Sequence, residues 1–281
     1  SNNLWITKMH GASNDFIVLD LRKSEAPTAA LCRALANRHT GIGCDMVLGV
    51  KSPRTIQAVA AYEIWTSEGL PSKQCGNGAR CVAAWVIRQG ITKESEFFLE
   101  SPSGIHKVEV LNPESFRIAL GIPQFSPKDI PLIGFDKEQS EYEIILDNGA
   151  SISFSAVSTG NPHAVIEVKD ITQAPVKEIG QALQQSSYFS PTVNVGFSEI
   201  ISTNRIKLRV YEYGAGETLA CGSGACAAAS VLMKKNRISR KVSVVLPGGE
   251  LEIDWPENNE QIMLTGPVKF ILEGEFFYDT L

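Results

Sequence analysis

The sequence predicts an α+β protein of two pseudo-symmetric, β-rich halves, each with one central apolar helix. Two near-identical cysteine motifs indicate the duplication: Cys75–Cys81 reads CGNGARC and Cys221–Cys226 reads CGSGAC. Each motif precedes an Ala-rich apolar run, which is typical of a loop that opens a buried helix. The second motif follows the first by 146 positions, and Asn161 follows Asn14 by 147. A repeat at one spacing indicates duplicated units. The cleft between such units is a common ligand site, so we expect the active site there.

Short β-rich runs bounded by Gly, Ser, Asn and Asp predict most of the first half as strands. The first two runs form a hairpin around a turn at 10–15, with Asn14 at its tip. Thr28 is the predicted N-cap of an amphipathic helix over 28–39, and Gly90 closes the first cysteine helix. The predicted strands cover residues 4–9, 16–20, 46–50, 58–65, 96–100, 106–110 and 116–120, and the cysteine helix covers about 76–89.

The pattern restarts after a Pro-rich, irregular stretch at 123–134, which we interpret as a linker. A turn at 160–163 and a loop at 212–219 separate the later elements. The predicted strands are 141–146, 150–157, 164–168, 193–197, 200–202, 206–211, 242–246, 251–254, 261–265 and 268–277, with helices at 176–184 and from the second motif to about 234. The last strand lies beyond the end of the second repeat, so we expect it to pack onto the first half. The predicted domains are therefore 1–122 with 268–281, and 123–267.

The composition is that of a soluble globular protein and excludes several classes of function. Of 281 residues, 43% are hydrophobic and 20% are charged, and the formal net charge is −5. Because no basic excess is present to neutralise phosphates, we expect no nucleic-acid partner. No run has the length of a membrane span, and the N-terminus lacks the apolar core of a signal peptide. We therefore expect a cytoplasmic protein without a membrane partner.

Four of the six cysteines are expected to pack rather than react. Cys81 and Cys226 fall about one and a half turns into their helices, and Cys32 and Cys44 lie outside the motifs. Without an export signal, six cysteines in a chain of this size fit a reducing compartment rather than a disulfide framework. The motif spacings are C-x5-C and C-x4-C rather than the paired C-x2-C of zinc sites, so no metal is expected.

The other two cysteines, Cys75 and Cys221, each stand just before a helix. A helix N-terminus carries unpaired N–H groups and about half a positive charge, which favour a thiolate and bind carboxylates. Each of the two motifs thus combines a thiol with a site that can bind an anion. This repetition predicts two catalytic thiols that face one substrate.

The residues around these cysteines resemble those of diaminopimelate epimerase. The matching segments are MHG…NDF from Met9, GIG…D from Gly41, QCGNG…R from Gln74, GNPHA from Gly160, VN at 193–194 and GETLACG…GA from Gly216. They occur in the family's order and spacing over nearly the whole chain. The resemblance implies a pyridoxal-independent epimerase, without a cofactor, built of two barrel-like domains that each wrap round a central helix. Its family default is diaminopimelate, in lysine and peptidoglycan supply.

Site residues follow from the resemblance position by position. Cys75 and Cys221 match the acid/base cysteines. The matched substrate-binding positions are Asn14, Gly76, Asn77, Asn161, Asn194, Glu212, Gly222 and Ser223. The resemblance implies that the pairs Gly76-Asn77 and Gly222-Ser223 bind the reacting carboxylate. His163 matches a residue close to the site. Together with Glu212, it is expected to set the protonation states of the thiols.

Inversion of an amino acid needs a base on one face of Cα and an acid on the other. The Cα proton is very weakly acidic, so the charge that develops on the carboxylate also needs stabilisation. Helix N-termini aimed at that carboxylate would stabilise the enolate-like state more than the ground state. We therefore expect one cysteine as thiolate and the other as thiol, with the roles exchanged in the reverse direction.

Three positions depart from the family pattern. The chain has Met46 in place of Gln, Thr66 in place of Asn, and Tyr213 in place of the Arg that follows Glu. In the family, this Arg and Asn help to hold the far carboxylate and amine of diaminopimelate. A phenol cannot reproduce the bidentate fork of Arg on a carboxylate, and a buried carboxylate without a cation is costly.

Four hypotheses for the function follow, of which the first two have a small-molecule amino-acid substrate. The first two are a diaminopimelate epimerase and a racemase of an amino acid that lacks the distal carboxylate. The others are a thiol redox protein, which the lack of C-x2-C disfavours, and a non-catalytic binding protein, which the retained cysteine pair disfavours. A homodimer is left open.

Overall fold

The computed structural model describes residues 2–73, 76–189 and 192–279. The chain forms two compact units, Ser1–Ala119 with Thr265–Leu281, and Leu120–Leu264. Leu120 marks the first junction because its backbone N–H donates to the carbonyl of Ile262, and Ile262 donates back to Gly121. The change of unit therefore comes a few residues before the Pro-rich stretch.

Eighteen strands and four α-helices are present in the described residues. In chain order they are β1 (Asn2–Gly11), β2 (Asn14–Asp20), α1 (Ala29–Ala36), β3 (Met46–Lys51), β4 (Ala60–Thr66), β5 (Pro71–Ser72), α2 (Gly76–Arg88), β6 (Glu96–Ser101), β7 (Gly104–Asn112), β8 (Ser115–Ala119), β9 (Tyr142–Ile145), β10 (Ser151–Ser158), β11 (Pro162–Glu167), α3 (Val176–Gln185), β12 (Asn194–Ser202), β13 (Arg205–Glu212), β14 (Gly216–Thr218), α4 (Gly222–Lys234), β15 (Lys241–Leu246), β16 (Gly249–Asp254), β17 (Met263–Pro267) and β18 (Lys269–Tyr278).

The two units repeat one pattern of strand pairing. In the first unit, β1–β2, β3–β4, β4–β5 and β6–β7 pair antiparallel, whereas β2–β3 and β4–β6 pair parallel. In the second unit, β10–β11, β12–β13, β13–β14 and β15–β16 pair antiparallel, whereas β11–β12 and β13–β15 pair parallel. The same six relationships in the same order support the duplication predicted from the repeated motifs. Strand β18 pairs antiparallel with β1.

Each unit buries one long helix against its own strands. Helix α2 contacts β1, β2, β3, β4 and β8, and α4 contacts β10 to β13, β15 and β16. Residues 76–86 of α2 and 222–233 of α4 are all buried. A helix that is buried all round is part of a core rather than a surface element. The β-rich architecture with a central helix in each unit is thus confirmed.

Several local predictions differ from the structure. The first hairpin turn consists only of Ala12 and Ser13, both with positive φ, so Asn14 begins β2 instead of lying at the turn's tip. Helix α1 starts after its predicted cap Thr28 but ends at Ala36, because Asn37 is extended. Pro162 and His163 belong to β11, and the short strand β14 lies in the loop predicted at 212–219. The short strand β5 lies between the predicted strand at 58–65 and the predicted cysteine helix. Among the described residues, no helix is long and apolar enough to cross a membrane.

Candidate active site

Asn14 is held at the start of β2 by Asp45, which comes just before β3, and by Asn77 in α2. Its amide Nδ2 donates to Oδ2 of Asp45 at 2.8 Å, and its Oδ1 accepts from Nδ2 of Asn77 at 3.1 Å. Asp45 directly precedes β3, which pairs parallel with β2. Asn14 is therefore fixed through both ends of its amide by residues distant in sequence.

Two neighbouring carboxylates surround this asparagine. The backbone N–H of Asp15 donates to the carboxylate of Asp45, the backbone N–H of Asp45 donates to the carboxylate of Asp15, and Arg38 contacts both carboxylates, at 2.9 Å and 3.0 Å. Burial acts to raise the pKa of Asp15, but hydrogen bonds from Arg38 and from the backbone of Asp45 outweigh it and hold that pKa below its usual value. Burial raises the pKa of Asp45 above its usual value, and the charge of Asp15 adds to this. Asp15 therefore has the lower pKa of the two and keeps its negative charge to a lower pH than Asp45.

The start of α2 brings a second amide and a buried cation together. Asn77 and Arg80 are both fully buried, and Nη2 of Arg80 donates to Oδ1 of Asn77 at 2.8 Å. The guanidinium also donates to the carbonyls of Gly76 and Pro267. Gln74 and Cys75 lie outside the described residues, so the catalytic role of Cys75 remains a prediction.

Two of the three positions that depart from the family pattern are neighbours across strands. Met46 pairs directly with Thr66 in β3–β4, where side chains on one face lie roughly 5 Å apart. The hydroxyl oxygen of Thr66 accepts the backbone N–H groups of Leu70 and Glu68. It therefore stabilises the turn between β4 and β5.

In the second unit, the sulfur of Cys221 caps α4. Gly224 donates its backbone N–H to Sγ at 3.2 Å, and Oγ of Ser223 lies 3.5 Å from Sγ. Cys221 has extended φ and ψ angles, as an N-cap residue does. The thiol is nearly buried, with 6% exposure. It lies beside Gly222 and Ser223, the pair matched to carboxylate binding.

Asn161 lies beside this helix start. Its Nδ2 donates to Oγ of Ser223 at 3.4 Å, while its Oδ1 accepts from Oγ1 of Thr159 and lies 2.9 Å from Nε2 of His163. Complete burial lowers the pKa of His163 to about 3, so the ring is neutral near pH 7. A neutral ring bonded to Asn161 orients that amide. The expected influence of His163 on thiol protonation stays a prediction.

The remaining predicted residues meet at the ends of β12 and β13. Oδ1 of Asn194 accepts the backbone N–H of Tyr213 at 2.9 Å, and its Nδ2 donates to the carbonyl of Pro162. Glu212 ends β13, and one of its carboxylate oxygens accepts from the hydroxyl of Thr218 on β14. The Tyr213 side chain is 62% exposed.

The repeated topology relates these residues to those of the first unit. Met46 begins β3, and Asn194 begins β12, each on a strand that pairs parallel with the one before it. Thr66 and Glu212 both end the following strand. The first unit therefore carries an apolar side chain and a hydroxyl where the second carries an amide and a carboxylate.

Sequence reasoning assigned no role to Asp45, Arg80, Thr159 or Thr218. Asp45 and Arg80 fall inside the matched motifs GIG…D and CGNG…R, which was the available signal. The hydrogen bond between Arg80 and Asn77 lies within the first turn of α2. The bond between Asp45 and Asn14 joins segments far apart in the chain, which the motifs alone do not give.

The fold is shared with solved structures of racemases and epimerases. A probable proline racemase from Agrobacterium radiobacter K84 superposes with a TM-score of 0.72 at 16% identity, over 98% of this chain and 93% of that one. A hydroxyproline epimerase from Agrobacterium vitis gives a TM-score of 0.73 at 14% identity, over 98% and 92%. At this identity, the likeness establishes the β-rich two-domain fold.

Two curated relatives are much closer in sequence. An O-ureido-serine racemase from Streptomyces lavendulae is 58% identical over 277 residues, which is 99% of this chain and 96% of that protein. A diaminopimelate epimerase from Xanthomonas axonopodis pv. citri (strain 306) is 51% identical over 277 residues, which is 98% and 97% of the two.

This chain is an amino-acid epimerase or racemase, and thus an isomerase. It belongs to the diaminopimelate epimerase family, whose model matches residues 6–125 and 155–271. The hypotheses of a thiol redox protein and of a non-catalytic binding protein are therefore not retained.

Proposed function

We propose that this enzyme racemises an amino acid with a single carboxylate and a polar, uncharged side chain, without a cofactor. O-ureido-serine is the leading candidate substrate. The observation that carries the proposal is Tyr213, which directly follows Glu212 where the family places the Arg that holds a second carboxylate.

The charges of β13 support this assignment. Arg209 is the arginine of β13 nearest in sequence to Tyr213, and its guanidinium contacts the Glu217 carboxylate at 2.6 Å and the carbonyl of Ile171. Arg209 therefore already forms an ion pair with the carboxylate of Glu217. A distal carboxylate brought beside Tyr213 would meet a phenol, which offers one donor in place of a guanidinium fork.

The first unit points the same way. Met46 and Thr66 form one cross-strand pair, and the Thr66 oxygen already accepts two backbone N–H groups. An apolar side chain and a short hydroxyl suit an uncharged substrate better than the ammonium and carboxylate at the far end of diaminopimelate.

The relatives are consistent with this choice. The relative named O-ureido-serine racemase shares 58% of aligned residues with this chain, and the diaminopimelate epimerase shares 51%. O-ureido-serine carries one carboxylate and a neutral urea group, which is the chemistry that the substituted positions favour.

For the reaction itself, Cys75 and Cys221 are the proposed acid/base pair. The first turn of α4 presents backbone N–H groups beside the sulfur of Cys221, where they would stabilise the substrate carboxylate as charge develops on it. Asn161 and Ser223, joined by a hydrogen bond, would fix that carboxylate in place. Asn14 and Asn77 are the corresponding polar pair in the first unit.

Epimerisation of diaminopimelate is the second candidate. It is favoured by the family match and by relatives at about half identity. Under this alternative, the distal carboxylate would need a cation other than the missing Arg.

Deuterium exchange at Cα in D2O separates the two candidates. The panel contains O-ureido-L-serine, LL-diaminopimelate and L-lysine, which resembles diaminopimelate without its distal carboxylate. The proposal predicts that kcat/KM for O-ureido-L-serine exceeds that for diaminopimelate at least tenfold. A preference for diaminopimelate over O-ureido-L-serine would overturn it.

A further inference from the structure

A directed chain of hydrogen bonds connects a buried cation to a carboxylate through two asparagines. Nη2 of Arg80 donates to Oδ1 of Asn77, Nδ2 of Asn77 donates to Oδ1 of Asn14, and Nδ2 of Asn14 donates to Oδ2 of Asp45. The three distances are 2.8, 3.1 and 2.8 Å. We call these four residues the Arg80–Asp45 relay.

The charged ends give the relay one direction. A guanidinium can only donate hydrogen bonds, and a carboxylate can only accept them. An asparagine amide has similar shape in either orientation, so its flip is set by its partners. With Arg80 at one end and Asp45 at the other, both amides must place oxygen toward Arg80 and nitrogen toward Asp45. Each amide NH2 then donates one of its hydrogens within the relay.

Burial makes this arrangement costly to disturb. Asn77 and Arg80 are both 0% exposed, and hydrogen bonds in a low-dielectric interior polarise one another along a chain. Gly11 leaves the required room, because a Cβ at this position would lie 2.8 Å from Nη2 of Arg80.

The second unit holds its equivalent amide without ions. Asn161 is fixed by the hydroxyl of Thr159, the neutral ring of His163 and Oγ of Ser223. Cys226 stands at the position of its motif that follows Gly-Ala, where the first motif has Arg80. Among the described residues, the amide of the first unit thus lies between an arginine and a carboxylate, whereas that of the second contacts hydroxyls and a neutral ring.

We propose that Asp45 and Arg80 are positioning residues, which act on the substrate by locking the amide orientation of Asn14 and Asn77. The inference rests on the proposed substrate-binding role of these two asparagines. Asp45→Asn breaks the direction of the relay, because an amide at position 45 can donate as well as accept. Asn14 can then flip and present an oxygen in place of an N–H to the substrate carboxylate.

A double-mutant cycle between Asp45→Asn and Asn14→Ala tests the proposal, with kcat/KM for Cα deuterium exchange as the readout. The substrate is whichever member of the panel above exchanges fastest in the wild type. We expect Asp45→Asn to lower kcat/KM on the order of tenfold, mainly through KM, because the amide positions the substrate. In the Asn14→Ala background, the same substitution should change kcat/KM by less than about twofold, since no amide remains to be oriented.

Asp20→Asn is the matched control. Asp20 ends the same strand β2 and pairs with Arg22 at the surface, so its loss should leave kcat/KM unchanged. Arg80→Lys and Arg80→Gln give a second arm at the other end of the relay. Lys retains a donor-only group and should keep more activity than Gln, whose amide allows Asn77 to flip.

The outcomes are distinguishable from failure of the proposed function. If no panel member exchanges in the wild type, the proposed function fails. If the wild type exchanges but the effects of Asp45→Asn and Asn14→Ala multiply independently, the positioning role of Asp45 is overturned. Equal activity of Arg80→Lys and Arg80→Gln in folded protein would overturn the role of Arg80.

Discussion

Gly224 donates its backbone N–H to the sulfur of Cys221 at 3.2 Å, so the proposed catalytic atom is also the N-cap of α4. The sulfur thereby lies among the N–H groups that a helix leaves unpaired at its start. The Cys221 side chain therefore has two roles, as the cap of a helix and as a proposed acid/base, and substitution can separate them.

Cys221→Ser and Cys221→Ala separate these two parts. Serine is a good N-cap and should retain stability, whereas alanine removes the cap and should cost roughly 1 kcal/mol of unfolding free energy. Both remove the thiol, so both should lower kcat on the order of 10³-fold. Urea unfolding and Cα exchange measure the two effects.

Cys226→Ala is the control on the same helix. Cys226 is fully buried, so its truncation should cost roughly 1 kcal/mol of stability and leave kcat near the wild-type value. Retained activity in Cys221→Ser would contradict the assignment of Cys221.

The buried His163 should make the protein less stable in acid. Its pKa of about 3 in the folded state lies below the ordinary value near 6.5. Between these values the unfolded chain binds a proton that the folded chain does not, so stability falls as the pH falls. Its contribution should drop by roughly 2 kcal/mol between pH 7 and pH 5.

Comparison with His163→Gln isolates this effect from other titrating groups. The variant should show a smaller loss of stability between pH 7 and pH 5 in urea unfolding, whereas exposed His39→Gln should behave like the wild type. An equal loss in His163→Gln and wild type would contradict the lowered pKa of the buried ring.

The three departures from the family pattern should together determine the substrate. The triple substitution Met46→Gln, Thr66→Asn and Tyr213→Arg restores the groups implied for diaminopimelate. It should raise kcat/KM for diaminopimelate at least tenfold and lower it for O-ureido-L-serine, because a bidentate arginine contributes roughly 2 kcal/mol to a charged contact. Tyr213→Phe, which adds no charge, is the control. No change in preference in the folded triple variant would show that specificity resides elsewhere.

Gly11 should tolerate no side chain, because Arg80 occupies the space beside it. In Gly11→Ala, the new Cβ would lie 2.8 Å from Nη2 of Arg80 and 3.3 Å from the carbonyl of Pro267. We expect a loss of roughly 1–3 kcal/mol in urea unfolding. Gly274→Ala, in β18, is the matched control, since a Cβ there meets nothing within 4 Å. Equal stability of the two variants would contradict the packing of Arg80 against Gly11.

Features that one segment encodes were predictable from the sequence. Thr28 caps α1 through a hydrogen bond to the N–H of Leu31. Gly90 has φ of +73° after α2, as a C′ residue requires. Cys81 and Cys226 are fully buried, as their places in the helices indicate.

Features that depend on tertiary contacts were not predictable. Ala12 and Ser13 adopt positive φ without a glycine to signal it, because the hairpin β1–β2 needs a two-residue turn. The Gly-Asn-Pro-His segment has the composition of a turn. In the structure Pro162 is instead the first residue of β11, a position at which a strand tolerates proline. The pairing of Met46 with Thr66, and the relay to Arg80, depend on strand register and helix packing that no motif contains.

The most direct test of the two-thiol account is solvent deuterium incorporation at Cα during turnover of O-ureido-L-serine by wild type, Cys75→Ser and Cys221→Ser. The account predicts deuterium in the inverted product of the wild type and a loss of inversion on the order of 10³-fold in each variant. Inversion at the wild-type rate in either variant would contradict it.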